Sequence, residues 1–292
     1  MQFLYGLHFV FSHPHNKGAF FKTLIKVLWW KCNQLFFNLP TITTYIGDSK
    51  IICYPDSSFS GLVMYTQVPE YRESLFVHNF LKTSDVVLDV GSHQGDFALL
   101  AADKKAGPIF AFEPTPESKD RLQANIELNN YQNSITLVPK AVSDKEGSIQ
   151  FNLSAESEVN SVVVGTTQTA STITVPTTSL DSFATKEKLA TINFLKIDVE
   201  GAEMLVLHGA ATLFKNHQIE LVLLEVNVHA EQYGFDFSAV TAYFQKFEYL
   251  LFEITDDLLL KALPPNWQPP ETMNIVAVST HYSRYKKYLA KS

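Results

Sequence analysis

The stretch DVGSHQGD, Asp89 to Asp96, lies between the apolar runs VVL and FALLAA. Gly91 and Gly95 remove side chains where a main chain must bend or touch a ligand. A helix beginning near Gly95 aims unpaired N–H groups at the same space. A dinucleotide fingerprint needs G-x-G-x-x-G, but Ser92 and His93 stand where the second glycine would fall. Asp89 and Asp96 would also repel a pyrophosphate, so a cationic ligand suits the turn better.

Glu113 follows Asp89 by 24 residues, close to the interval of about 20 at which a carboxylate accepts ribose hydroxyls. A nucleoside with a positively charged tail, held at its ribose by Glu113 and at its other end by acids, describes S-adenosylmethionine. A second acidic run, KIDVEGAE, puts Lys196, Asp198 and Glu200 on alternate positions of a strand end before the turn at Gly201, and Glu203 opens the next helix. Asp198 is the first candidate for a general base acting on a hydroxyl nucleophile, and Glu200 the second; crowding raises carboxylate pKa values, which suits a base. A structural reading stands beside this one, with Glu203 favouring a helix N-terminus and Lys196 neutralising Asp198. Glu225, Asn227 and His229 alternate after a later strand as candidates to line an acceptor pocket, His229 having a base's titration range. No His, Asp or Glu set shows convincing metal-ligand spacing, so turnover is expected to survive EDTA, with a carboxylate-bound Mg ion as the alternative.

These residues need a frame. From VVLDVG to LVPKAV, and again from INFLKIDV to NIVAVST, apolar strands alternate with helical patterns. Strands apolar on both faces and separated by helices predict a doubly wound, mostly parallel α/β sheet, with ligands beyond the carboxyl ends of its strands. Residues 148–180 turn to Ser, Thr, Val and Asn and predict a β insertion, while YLLFEI and NIVAVST lack a crossover helix between them, so the last strand is expected to run antiparallel. A GD turn inside TITTYIGDSKIICYP predicts a hairpin ahead of the sheet. We therefore divide the chain into an extension over 1–60 and a main domain over 61–292.

VVLDVGSHQGDFALLAA, AFEPTPESKDRLQANIELN, LVPKAVSD, TTSLDSF, INFLKIDVEGAEMLVLHGA and IELVLLEV together resemble the FkbM-type, class I, S-adenosylmethionine-dependent methyltransferases over roughly residues 62–255. The resemblance implies a Rossmann-like seven-stranded sheet with an antiparallel last strand, and O-methylation of a hydroxyl on a glycan, lipid-linked sugar or secondary metabolite. Carried over residue by residue, it gives the methionine end of the cofactor to Asp89, Gly91 and Gly95, with Asp198 close by, and the ribose to Glu113. The adenine edge falls near Pro114 and the loop from Ala141 to Asp144. Many relatives have Ala-Asn where this chain has Ser92-His93, which leaves His93 at the mouth of the site with no inherited role. N-methylation and a non-catalytic nucleoside-binding scaffold remain alternatives.

Charge is distributed unevenly. The net −7 is the sum of +4 on the first 40 residues, which hold four lysines and no acid, and −11 on the other 252. The acidic balance argues against a nucleic-acid partner, and the two cysteines, Cys32 and Cys53, form no disulfide framework or metal spacing, which points to a reducing cytoplasm. Residues 18–37 read as an amphipathic helix, with Lys22, Lys26 and Asn33 near one face and Phe21, Leu24, Leu28 and Cys32 near another. Its lysines argue against a membrane span, and no small-residue cleavage site follows it. Two placements stay open, a helix packed on its own domain or one lying on an anionic membrane surface, where Trp29 and Trp30 would suit the interface.

Overall fold

The computed structural model describes residues 8–153, 161–162, 172–226, 237–264, 267–269 and 272–291. Helix α1 (Phe20–Cys32) continues into a π-helical turn over Asn33–Phe37. A hairpin follows, β1 (Thr41–Thr44) paired antiparallel with β2 (Lys50–Cys53). Side chains of the main domain satisfy the free edge of β2: Asn125 Oδ1 accepts from Ile52 N at 2.8 Å and Asn129 Oδ1 from Lys50 N at 2.7 Å. An edge strand covered in this way is no template for another chain. Helices α2 (Ser58–Thr66) and α3 (Tyr71–Phe80) complete the approach to the sheet.

The main unit alternates β3 (Val87–Val90), α4 (Asp96–Asp103), β4 (Ile109–Phe112), α5 (Pro116–Leu128) and β5 (Ile135–Val138). Four short strands come next: β6 (Ala141–Val142), β7 (Gly147–Asn152), β8 (Ser161–Val162) and β9 (Thr172–Thr178). They form a separate sheet in the order β6-β9-β7-β8. The alternation then resumes with α6 (Leu180–Glu187), β10 (Ile192–Ile197), α7 (Glu203–His208), α8 (Ala211–Lys215), β11 (Ile219–Val226), α9 (Phe237–Lys246), β12 (Tyr249–Ile254), β13 (Leu260–Ala262) and β14 (Met273–Ser279).

The main sheet runs β13-β12-β14-β11-β10-β3-β4-β5. From β11 to β5 every neighbour is parallel, and β14 is antiparallel to both β11 and β12. The expected antiparallel last strand is thus present, inserted between β11 and β12. One edge strand was not foreseen: β13 pairs with β12 through Phe252↔Ala262. Three residues are too few to show a period, and the prolines beyond them read as loop.

Alternate residues of the central strands feed two cores. Phe194, Leu221, Leu223, Val276 and Val278 pack on one face with Phe76, Phe97 and Leu122. Leu195, Val222, Leu224, Ile275 and Ala277 pack on the other with Met204, Phe214 and Phe244. This two-sided burial is why the strands read as unbroken apolar runs. The chain leaves β3 for β4 and β5 on one side and returns to β10 and β11 on the other, so the switch point lies where β3 and β10 end side by side. Among the described residues no helix is long and apolar enough to cross a membrane.

Candidate active site

A cavity of about 320 Å³ opens at that switch point. Its floor is the turn after β3. Gly91 has φ +81°, and a Cβ on it would collide with the carbonyl oxygen of Asp198 on the neighbouring strand; Gly95, at φ +93°, has Leu122 in the space a Cβ would need. Both glycines are therefore required by backbone conformation and by close approach. The Ser92 hydroxyl donates to Asp89 O at 2.8 Å and to Phe112 O at 3.2 Å, locking the turn to β4. Gln94 Nε2 donates to Ser57 Oγ at 2.8 Å, and Gln94 Oε1 accepts from Ser60 Oγ at 3.2 Å, which clamps α2 over the same turn. Through that clamp α2 presents Ser58, Phe59 and Leu62 to the cavity.

Glu113, just past β4, is 5% exposed. Its Oε2 accepts from His93 N at 3.0 Å, and its Oε1 accepts from Thr115 N at 2.9 Å and Thr115 Oγ1 at 2.7 Å. Burial pushes its carboxyl up to about 7 against the pull of those three donors. Oε2, with a single donor, keeps a lone pair for a ligand hydroxyl. Phe112, Pro114 and, from the small sheet and its approach, Ala141, Val142, Ile149 and Phe151 form an apolar wall beside it.

Opposite lies the acidic end. Glu70, Asp96, Asp198, Glu200 and Glu225 line the cavity there with Lys196. Lys196 is 2% exposed; its Nζ donates to Asp198 Oδ2 at 2.7 Å and stands 4.6 Å from the centre of the Phe97 ring. Burial alone would lower the Lys196 pKa, but Asp198, Glu70, Asp96 and Asp89 together hold the ammonium well above its ordinary value. Burial raises Glu70, Asp89, Asp96 and Glu225, with Lys196 opposing each shift. Carboxylate oxygens of Asp198, Glu200 and Glu225 come within 4.8 Å of one another, and Glu225 Oε2 meets no hydrogen-bond donor among the described residues. That triad is also a donor set for a hard divalent cation, and spacing along the chain gave no sign of it.

Of the residues singled out in the sequence, Gly91, His93, Glu113, Pro114, Ala141, Asp198 and Glu200 line this one cavity. Asp89 is fully buried beneath it, in register with Lys196. Ser92 and Gly95 shape the turn without lining the cavity, and Asp144 lies outside it, accepting from Ser143 Oγ at 3.2 Å. His229 and Asn227 lie outside the described residues. Glu203 turns away to accept from Gly201 N at 2.8 Å, and burial pushes it up to about 7. Sequence reasoning gave no site role to Glu70, Phe59 or Gln94. Glu70 is the N-cap residue of α3, in the stretch VPEYRESLFVHNFL whose helical spacing reads as an ordinary helix start, and Gln94 reads as filler between two glycines.

A parallel sheet with an antiparallel strand next to its edge pair, carrying an acid-lined cavity at its switch point, defines a Rossmann-like fold of the class I methyltransferase type. A model of the methyltransferase FkbM domain matches residues 89–251, and the chain belongs to this family. The hexuronic acid methyltransferase AglP of Haloferax volcanii is 30% identical over 146 residues, which cover 49% of this chain and 56% of that protein. The chain thus spans a little over half the length of this curated relative. Among solved structures, an FkbM methyltransferase from Methylobacillus flagellatus aligns over 75% of this chain and 52% of its own, at 16% identity and a TM-score of 0.45. A precorrin-6y C5,15-methyltransferase from Geobacter metallireducens aligns over 73% and 89%, at 12% identity and a TM-score of 0.41.

Proposed function

We propose that this chain is an S-adenosylmethionine-dependent O-methyltransferase acting on a hydroxyl of a glycan, a lipid-linked sugar or a secondary metabolite. The observation that carries the cofactor is the composition of one cavity: six carboxylates and two lysines line it, with Glu113 alone at the apolar end. A ligand that is cationic at one end and a flat nucleoside at the other matches that division. Glu113 Oε2 would accept from a ribose hydroxyl, the wall of Phe112, Val142, Ile149 and Phe151 would take the base, and the Gly91 main chain with the acids around Lys196 would hold the charged end. When bound, S-adenosylmethionine supplies a methyl carbon already activated by its sulfonium.

The chain's own part is to position the acceptor and move one proton. Asp198, whose Oδ2 is held by Lys196, keeps Oδ1 for the acceptor hydroxyl and takes its proton as the oxygen acquires the methyl group. Glu200 and Glu225 stand beside that carboxylate and line the same end of the cavity. Ile149 and Phe151 from the small sheet and Phe59 from α2 give the cavity apolar walls. The sugar acceptor is supported by the likeness to AglP, a hexuronic acid methyltransferase.

Titration calorimetry with S-adenosylmethionine and S-adenosylhomocysteine, followed by transfer of labelled methyl to a uronic-acid glycan fraction, tests both parts. Saturable binding of both nucleosides with label in an acid-stable, base-stable ether is the expected result. Binding without transfer to any fraction would leave a nucleoside-binding scaffold, and label on nitrogen would sink the oxygen acceptor.

A further inference from the structure

Helix α1 turns much of its apolar surface outward. Its buried residues are Thr23 and Trp30, with Leu24, Lys26 and Val27 half-buried, so a mixed face makes the contact with the body of the protein. The Trp30 indole rests on Gly61 of α2. The apolar stripe faces away: exposure runs from 50% for Trp29 through Leu28 and Ile25 to 78% for Phe21. The π-helical turn extends it with Leu35 and Phe36, each 76% exposed. A contiguous apolar surface of this kind marks a place where another phase or molecule belongs.

Charge identifies the occupant. Lys17, Lys22 and Lys31 are exposed around the stripe, and no acid occurs before Asp48. Two copies docked through this face would bring lysine against lysine with no carboxylate to pair them. Anionic lipid headgroups supply the missing countercharge, and the acyl boundary takes the phenylalanine, isoleucine and leucine side chains, with Trp29 at the level where indoles partition best. We propose that the protein docks on an anionic bilayer surface through the outward face of α1 and the turn that follows it. Helix α2 separates α1 from the cavity and lines the latter with Ser58, Phe59 and Leu62, so the docked bilayer lies about two helix diameters, ~20 Å, from the cavity. The proposal does not depend on the chemistry performed there.

The test is flotation of the full chain with vesicles of phosphatidylcholine alone or with phosphatidylglycerol as about a third of the lipid. At least tenfold more protein is expected on the anionic vesicles, falling as salt shortens the screening length. Ile25→Ser combined with Phe36→Ser should cut the bound fraction about tenfold, with an unchanged thermal melt because both positions are exposed. Equal flotation with both lipids, flotation with neither, or a double variant that binds like the parent would overturn the proposal. So would a dimer, measured by light scattering, that the double variant dissociates, since a second copy would then own the face.

Discussion

At the crest of the main sheet six carboxylates are drawn into a cavity, whereas one helix away α1 turns Phe21, Ile25, Leu28 and Trp29 to solvent. The two regions break the ordinary rule of burial in opposite senses. Enclosed carboxylates carry a desolvation cost, visible in the raised pKa values of Glu70, Asp89, Asp96, Glu113 and Glu225. Exposed apolar side chains forgo the main driving force of folding. Neither arrangement is one that stability alone would keep, and the partner proposed for each is of the complementary kind: a cationic nucleoside for the first, a lipid surface for the second.

The sharpest way to break the first half of this contrast is to remove the cation at its centre. Lys196→Met leaves Asp198, Asp89, Asp96 and Glu70 without their shared positive charge, and loss of one partner from a buried ionic cluster costs about 3–5 kcal/mol. Urea unfolding at pH 8 should show a loss of that size, smaller at pH 6 where the raised carboxyls hold protons. A loss below about 1 kcal/mol at pH 8 would mean that the acids neutralise themselves by sharing protons.

The second effect is a slope with pH. Burial lifts Glu113 and Glu203 to about 7 in the folded protein, against about 4.3 for a glutamate in the unfolded chain. Below the unfolded value both states are protonated and nothing is lost. Between the two values unfolding releases protons, so stability falls as pH rises, and above about 7 the loss is complete and levels off. Glu203→Gln, which keeps an acceptor for Gly201 N, should flatten that fall by on the order of 2 kcal/mol between pH 5 and pH 8. An unchanged slope in denaturation curves across this range would show that Glu203 is not the group responsible.

A third test reaches the ligand. Glu113→Gln replaces a charged acceptor by a neutral one, and a hydrogen bond to a charged group is worth about 1.5–3 kcal/mol. Affinity for S-adenosylmethionine measured by calorimetry should fall by roughly 10- to 100-fold, while fold stability changes little, the relief of a buried charge offsetting the loss of the acceptor for His93 N. Equal affinity would remove Glu113 from the nucleoside end.

How much of this was legible beforehand follows the physics of each signal. β3, β4, β10 and β11 can be read because a strand buried on both faces must be apolar throughout, and the glycine turn because Gly91 and Gly95 leave no room for a Cβ. Glu113 is legible because its distance from Asp89 is set by one strand–helix–strand unit. The cluster of Asp198, Glu200 and Glu225 is only half legible: the first two share a strand end, but Glu225 joins them through the pairing of β11 with β10, which linear spacing does not encode. Glu70 arrives from a loop before the sheet, and Gln94 works through contacts with α2 that no motif announces. The face α1 buries was illegible for a different reason. Periodicity identifies an apolar stripe but not its direction, and here a single tryptophan inserted beside Gly61 decides which side turns inward.

That tryptophan and its neighbour provide the finest test of the contrast. Trp30 is fully buried and Trp29 is 50% exposed, although they are adjacent on one helix and identical in chemistry. Trp30→Ala should behave as a core truncation, while Trp29→Ala removes nothing the fold uses and should shift stability by no more than about 0.5 kcal/mol. The same Trp29→Ala should still weaken flotation with anionic vesicles by a fewfold, since an indole at the interface contributes to partitioning. If both substitutions destabilised the fold alike, α1 would have to rotate relative to the placement described, and its apolar stripe would belong to the protein's own core. If Trp29→Ala altered neither stability nor flotation, the outward face would have to do its work through the leucine and phenylalanine positions alone.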